Sequence, residues 1–118
     1  ATILLVEDED AVRTFSARAL TNKGYQVLEA NGGDSALELL NEKKHAIDLL
    51  ITDVIMPGMD GPTLAKEIQK DRPDLKIIFI SGYTEDKFKD ELGEDVHFMP
   101  KPFTLQKLAA KVKEVLAD

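Results

Sequence analysis

Three short stretches, Ile3-Leu4-Leu5-Val6, Leu49-Leu50-Ile51 and Ile77-Ile78-Phe79-Ile80, are apolar at every position. A strand with one wet face alternates apolar and polar residues, so an unbroken run of strand length implies burial on both faces, as in a parallel sheet sandwiched between helices. Parallel neighbours cannot be joined by a hairpin and need a long crossover, usually a helix. The segments between the runs are amphipathic and long enough to supply it.

With these runs as anchors, strands are expected at Thr2 to Val6, Tyr25 to Glu29, Asp48 to Thr52, Lys76 to Ile80 and Asp95 to Met99. Helices are expected at about Asp10 to Lys23, Asp34 to Lys44, Pro62 to Asp71, Thr84 to Leu92 and Thr104 to Ala117. The last is the clearest, with Leu105, Leu108, Ala109, Val112 and Leu116 recurring at helical spacing. Pro62 and Thr104 suit helix starts and Gly24 a helix stop. The helix from Thr84 has only Phe88 and Leu92 as clear apolar anchors. Five strand-helix units with right-handed crossovers predict a doubly wound α/β fold. The natural form is a five-stranded parallel sheet of order 2-1-3-4-5, a flavodoxin-like (βα)5 three-layer sandwich.

A chain of 118 residues holds one core of useful size, so residues 1–118 are expected to form a single domain. The first residue is Ala and the pattern runs nearly to both ends, as expected of a domain trimmed from a longer protein. Fifteen Lys and Arg against 22 Asp and Glu give a net charge of -7, which opposes direct binding to nucleic acid or to an anionic membrane. Cysteine is absent, which removes disulfides, thiolate catalysis and Cys-ligated metal. No apolar run approaches the length of a bilayer span and no signal-peptide layout opens the chain, so a cytoplasmic location is expected.

Ligand sites in open parallel sheets form at the carboxyl ends of strands where the winding reverses, here between strands one and three. Strand one is followed by Glu7-Asp8, strand three by Asp53, strand four by Ser81 and strand five, shortly after, by Lys101. The reactive side chains thus fall at one edge. Three carboxylates meeting there would repel by roughly 4 kcal/mol per pair at 4 Å and an effective dielectric near 20, so a cation is needed. Mg2+ fits best, being a hard ion commonly held by one or two carboxylates, waters and a phosphate oxygen. Lys101 offers a positive point and Ser81 a hydroxyl donor for a phosphoryl group. Asp53 then becomes a carboxylate nucleophile able to form an aspartyl phosphate.

Each of these residues also has a plainer reading. Glu9 and Asp10 complement a helix dipole; Ser81-Gly82, Met56-Pro57-Gly58 and Asp60-Gly61 are turn chemistry; Lys101 is by default a surface lysine and Phe98 a core aromatic. His45 and His97 lack the spacing of a metal pair. No phosphate-binding loop, dinucleotide fingerprint, zinc-protease helix or nucleophile elbow is present.

Four segments in order, ILLVEDED, LLITDVIMPGMDG, IFISGY and MPKPF, tip the balance. Together they make the chain resemble the receiver domains of two-component response regulators over essentially its whole length. The wording EDEDAVR, ISGYTED and FMPKPF is most similar to receivers fused to hybrid histidine kinases. The resemblance implies that Asp53 accepts a phosphoryl group and that Asp8, Asp53 and the backbone carbonyl of Ile55 bind Mg2+, with Glu7 acting through water. It implies that Ser81 and Lys101 contact the phosphoryl oxygens, that Phe98 is a switch aromatic, and that the Lys101-Pro102 bond is cis. The implied partner is a histidine kinase or a histidine phosphotransfer domain, and the implied state a monomer or weak dimer. Such a domain catalyses its own phosphorylation without being a stand-alone turnover enzyme.

Two departures bear on lifetime: Glu7 stands where many receivers carry Asp, and neither Ile55 nor Tyr83 offers a polar group to orient an attacking water. Slow hydrolysis is expected. The rivals are an aspartyl-phosphate phosphatase, disfavoured because Ile55 stands where a second acid would be needed, and a flavodoxin-like flavin or protein-binding module.

Overall fold

The apolar runs lie side by side, as their lack of alternation demands. The computed structural model describes residues 1–43, 46–81, 96–100 and 103–117, apart from the side chains of Glu42, Lys43, Ser81 and Val96. Its strands are β1 (Thr2–Val6), β2 (Gln26–Ala30), β3 (Leu49–Asp53), β4 (Lys76–Ser81) and β5 (Val96–Pro100). They form one parallel sheet in the expected order, 2-1-3-4-5. Four helices cover it among the described residues: α1 (Asp10–Asn22), α2 (Gly33–Lys43), α3 (Gly61–Gln69) and α4 (Leu105–Ala117). The helix expected at Thr84 to Leu92 lies outside the described residues, as does His45.

The pleat sends successive residues to opposite faces. Leu4, Val6, Leu50, Ile77 and Phe79 point one way and pack on Ala36 and Leu40 of α2 and Leu64, Ala65 and Ile68 of α3. Ile3, Leu5, Leu49, Ile51, Ile78 and Ile80 point the other way, onto Ala17 and Leu20 of α1 and Leu108, Val112 and Val115 of α4. Every residue from Leu49 to Asp53 is buried, whereas the edge strand β2 is buried only at Ala30. Complete burial of a Leu or Ile side chain is worth about 1.5–3 kcal/mol. The central strands therefore supply much of the drive to fold.

Strands β2, β3 and β5 each begin and end one residue later than the sequence pattern places them, and β4 ends one residue later. The Tyr25 N–H turns back to the Leu20 carbonyl (3.2 Å) to finish α1, so the β2 ladder begins at Gln26. β3 keeps Asp53 inside its ladder, paired with Ile80, and β5 runs on to Pro100, paired with Ser81. The helix signals hold: Gly24 has φ 96°, Asp60 caps α3 by accepting from Thr63 N (2.8 Å), and Thr104 Oγ1 accepts from Lys107 N (3.1 Å). The apolar face of α4 is rotated from the expected one. Leu108, Val112 and Val115 are fully buried, while Leu105 is 36% exposed because it stands at the helix start beyond the packed layer. At the other end of α4, Lys76 Nζ donates to the Val115 carbonyl (2.8 Å) and ties the helix to the start of β4.

Among the described residues, no helix is long and apolar enough to cross a membrane.

Candidate functional site

β1 and β3 are neighbours, and their carboxyl ends bring three acids together. One carboxylate oxygen from each of Glu7, Asp8 and Asp53 lies within 4.8 Å of the others. Glu7 and Asp53 are buried, at 1% and 3% exposure, while Asp8 faces solvent. At that separation the Glu7 and Asp53 charges oppose each other by about 3 kcal/mol at an effective dielectric near 20, and the wetter Asp8 adds less. Three hard oxygen donors so placed could hold a divalent metal ion.

Glu7 is fixed from several sides. Its N–H donates to the Ala30 carbonyl (3.1 Å), extending the β1–β2 ladder, and its Oε1 accepts from Glu9 N (3.1 Å). Its carbonyl accepts from Arg13 Nη1 (2.8 Å), reaching back from the first turns of α1. Arg13 also donates through Nη2 to Asp10 Oδ1 (2.6 Å) and faces Glu29 across 3.8 Å.

Asp53 is held by its backbone. Thr52 Oγ1 donates to the Asp53 carbonyl (3.0 Å), Val54 N donates to the Ile80 carbonyl (3.1 Å), and Gly61 N donates to the Val54 carbonyl (2.9 Å). The last bond folds the start of α3 against the strand end. Only glycine allows it, since a Cβ at position 61 would collide with the Asp53 carbonyl oxygen. The turn between them passes through Gly58 at φ 78°. Ile55 projects from this loop, 59% exposed.

Of the residues expected at the site, the structure brings Glu7, Asp8 and Asp53 together and places Ile55 beside them in the β3–α3 loop. Phe98 lies on the sheet face covered by α2 and α3, buried against Phe79. Ser81 ends β4 as expected. The Ser81 side chain, Tyr83, Lys101 and the Lys101-Pro102 bond lie outside the described residues. Arg13 and Gly61 were not singled out from sequence as site residues. The three-residue spacing of Asp10 and Arg13 is a signal for an ion pair, but nothing in it points to the Glu7 carbonyl.

Three acids gathered at neighbouring strand ends of a five-stranded parallel sheet point to a recognisable class. The chain matches the response regulator receiver domain over residues 3–113, and it belongs to that family. It is 53% identical to the sensor kinase CckA of Brucella abortus (strain 2308), over 98% of this chain but only 12% of that protein. It is 38% identical to the response regulator receiver protein CpdR of the same strain, over 97% of this chain and 95% of that one. Among solved structures it is similar to the receiver domain from the hybrid histidine kinase CckA, with a TM-score of 0.84, 47% identity and coverage of 98% and 99%. A response regulator receiver protein from Sinorhizobium medicae WSM419 gives a TM-score of 0.89 at 30% identity, covering 99% and 94%. The expected likeness to two-component receivers, including that of a hybrid kinase, is borne out.

Proposed function

We propose that Asp53 accepts a phosphoryl group from a phosphohistidine on a histidine kinase or phosphotransfer domain, in a Mg2+-dependent reaction. The observation that carries this reading is the meeting of buried Asp53 with Glu7 and Asp8 within 4.8 Å, at adjacent strand ends of a receiver fold. An Asp53 carboxylate oxygen attacks phosphorus in line. As the new P–O bond forms, the P–N bond to the donor imidazole breaks and its electron pair returns to that nitrogen.

Asp8, Asp53 and the Ile55 carbonyl would hold Mg2+, and Glu7 would act through a water. Carboxylate oxygens gathered within 4.8 Å of one another suit a hard divalent ion. When bound, the ion neutralises charge on the phosphoryl oxygens. The backbone bonds around Asp53 keep its carboxylate aimed at Glu7 and Asp8. Ser81 and Lys101 contact phosphoryl oxygens in this reading, and Phe98 answers their movement. Two helical layers around one sheet support reading residues 1–118 as one receiver domain, and the kinship with CckA supports a cytoplasmic phosphorelay role.

Intact-mass analysis after incubation with acetyl phosphate tests it. One phosphoryl group should appear with Mg2+, little without it, and none on Asp53→Asn. An equal hydroxylamine-labile gain on Asp53→Asn would overturn the assignment.

A further inference from the structure

We infer that Arg13 is a positioning residue that sets the divalent-metal affinity of the Glu7, Asp8 and Asp53 cluster by clamping the loop between β1 and α1. The inference rests on the phosphoacceptor reading above. The Arg13 side chain is only 17% exposed, and its guanidinium makes two short bonds at once, to the Glu7 carbonyl (2.8 Å) and the Asp10 carboxylate (2.6 Å). A third carboxylate, Glu29 at the end of β2, lies 3.8 Å from Nε. The planar fork therefore joins the loop, the start of α1 and the neighbouring strand.

The anchoring comes from below. α1 is seated on the sheet by Ala17 and Leu20, one and two turns beyond Arg13, so the guanidinium is carried by a packed helix rather than by the loop it grips. The Glu7 carbonyl belongs to the peptide unit that leads into Asp8. Fixing that carbonyl fixes the peptide plane from which Asp8 departs and so narrows the directions its side chain can take. Glu7 Oε1 is held from inside the same loop by Glu9 N (3.1 Å), so both metal-facing acids depend on the clamped segment. Partners that orient metal ligands typically change affinity by about 10- to 100-fold when removed.

Charge alone predicts the opposite sign. Removing a cation beside three carboxylates deepens the local negative potential and should tighten Mg2+ binding. A clamp predicts weaker binding. Lysine keeps the charge but not the bidentate fork, so it separates the two mechanisms.

The test is calorimetric titration of the whole chain with Mg2+ alone, together with acetyl phosphate phosphorylation across a Mg2+ series. Arg13→Ala should weaken Mg2+ binding by about tenfold, and Arg13→Lys should weaken it measurably. In both variants the half-saturating Mg2+ should move further than the rate at saturation, with the metal-free melting curve still cooperative. Unchanged or tighter binding in Arg13→Ala overturns the inference, as does wild-type affinity in Arg13→Lys. The lysine variant carries the decision if the alanine variant does not fold. A wild-type chain that takes up neither Mg2+ nor phosphoryl groups overturns the phosphoacceptor reading itself. One that takes up both, beside unaffected Arg13 variants, overturns only the clamp.

Discussion

The rings of Phe79 and Phe98 stand 5.7 Å apart, centre to centre, and are tilted by 33°, linking the middle of β4 to the middle of β5 on the face covered by α2 and α3. Phe79 is wholly buried and Phe98 is 8% exposed, so Phe98 is the partner nearer the surface. Phe98→Ala should cost about 3–5 kcal/mol in urea unfolding, the usual range for emptying a buried aromatic site. If Phe98 is the mobile partner, a 19F label on its ring should shift on adding beryllofluoride while one on Phe79 moves less. Equal silence of both labels would count against the switch.

Signalling from the phosphoryl group is expected to reach Phe98 through Ser81. A charge-assisted hydrogen bond to that hydroxyl contributes about 1.5–3 kcal/mol, enough to tip a modest two-state equilibrium. Amide shifts on beryllofluoride binding should therefore spread over residues 81–104 in the wild-type chain and shrink in Ser81→Ala. Shifts confined to the carboxylate cluster, or an undiminished spread in Ser81→Ala, would refute the coupling.

Ile55 is exposed and apolar, and neither it nor Tyr83 carries a carboxylate or amide. Without a polar group in reach, an attacking water is not oriented, and the aspartyl phosphate should persist. The double variant Ile55→Asn, Tyr83→Glu should lose label faster than the wild type in a time course of intact mass. An unchanged half-life would sink the idea.

Gly61→Ala should be destabilising by about 1–3 kcal/mol, as for other forced overpacking. Its Cβ meets backbone at Asp53 rather than a side chain that can swing away. Because that clash displaces Asp53, phosphorylation by acetyl phosphate should also slow in the folded fraction. A loss of stability with a wild-type rate would show that α3 and Asp53 are not coupled.

Phe15, 49% exposed on α1, and Leu105 line one shallow groove with Asp10 next to the acidic loop. An apolar surface so close to the site suits a docked phosphodonor protein. Phe15→Asp should slow transfer from a phosphohistidine protein while leaving acetyl phosphate labelling near the wild-type rate. Equal effects on both donors would exclude a docking role.

Where the sequence was legible, burial made it so. Ile3 to Val6 and Ile77 to Ile80 could be read as central strands because two-sided burial leaves no polar position, and the order of the sheet followed. The convergence of Glu7, Asp8 and Asp53 followed in turn from strand ends and winding. Boundaries were less legible, since the diversion of the Tyr25 N–H to Leu20 is a backbone event that leaves no mark on side-chain pattern. The same holds for Arg13, whose partner is a carbonyl common to every residue, and for Gly61, whose missing Cβ matters only once α3 has folded back on Asp53. Val115 replaces Leu105 in the core because a helix meets the sheet over its middle and far turns, which periodicity alone cannot phase.

The bond from Lys76 Nζ to the Val115 carbonyl makes α4 a lever with its fulcrum at the edge remote from the carboxylates. A 13-residue helix is about 20 Å long. Pinned at its last turn, it multiplies a small rotation into its largest displacement at the opposite tip. From Val115 to Leu105 the arm is about 15 Å, so a tilt of about five degrees would carry that tip roughly 1.3 Å. The tip is Leu105, exposed beside Phe15, so the amplitude of any α4 movement is delivered to the rim a phosphodonor would touch, and a weaker fulcrum in Lys76→Met would blunt it.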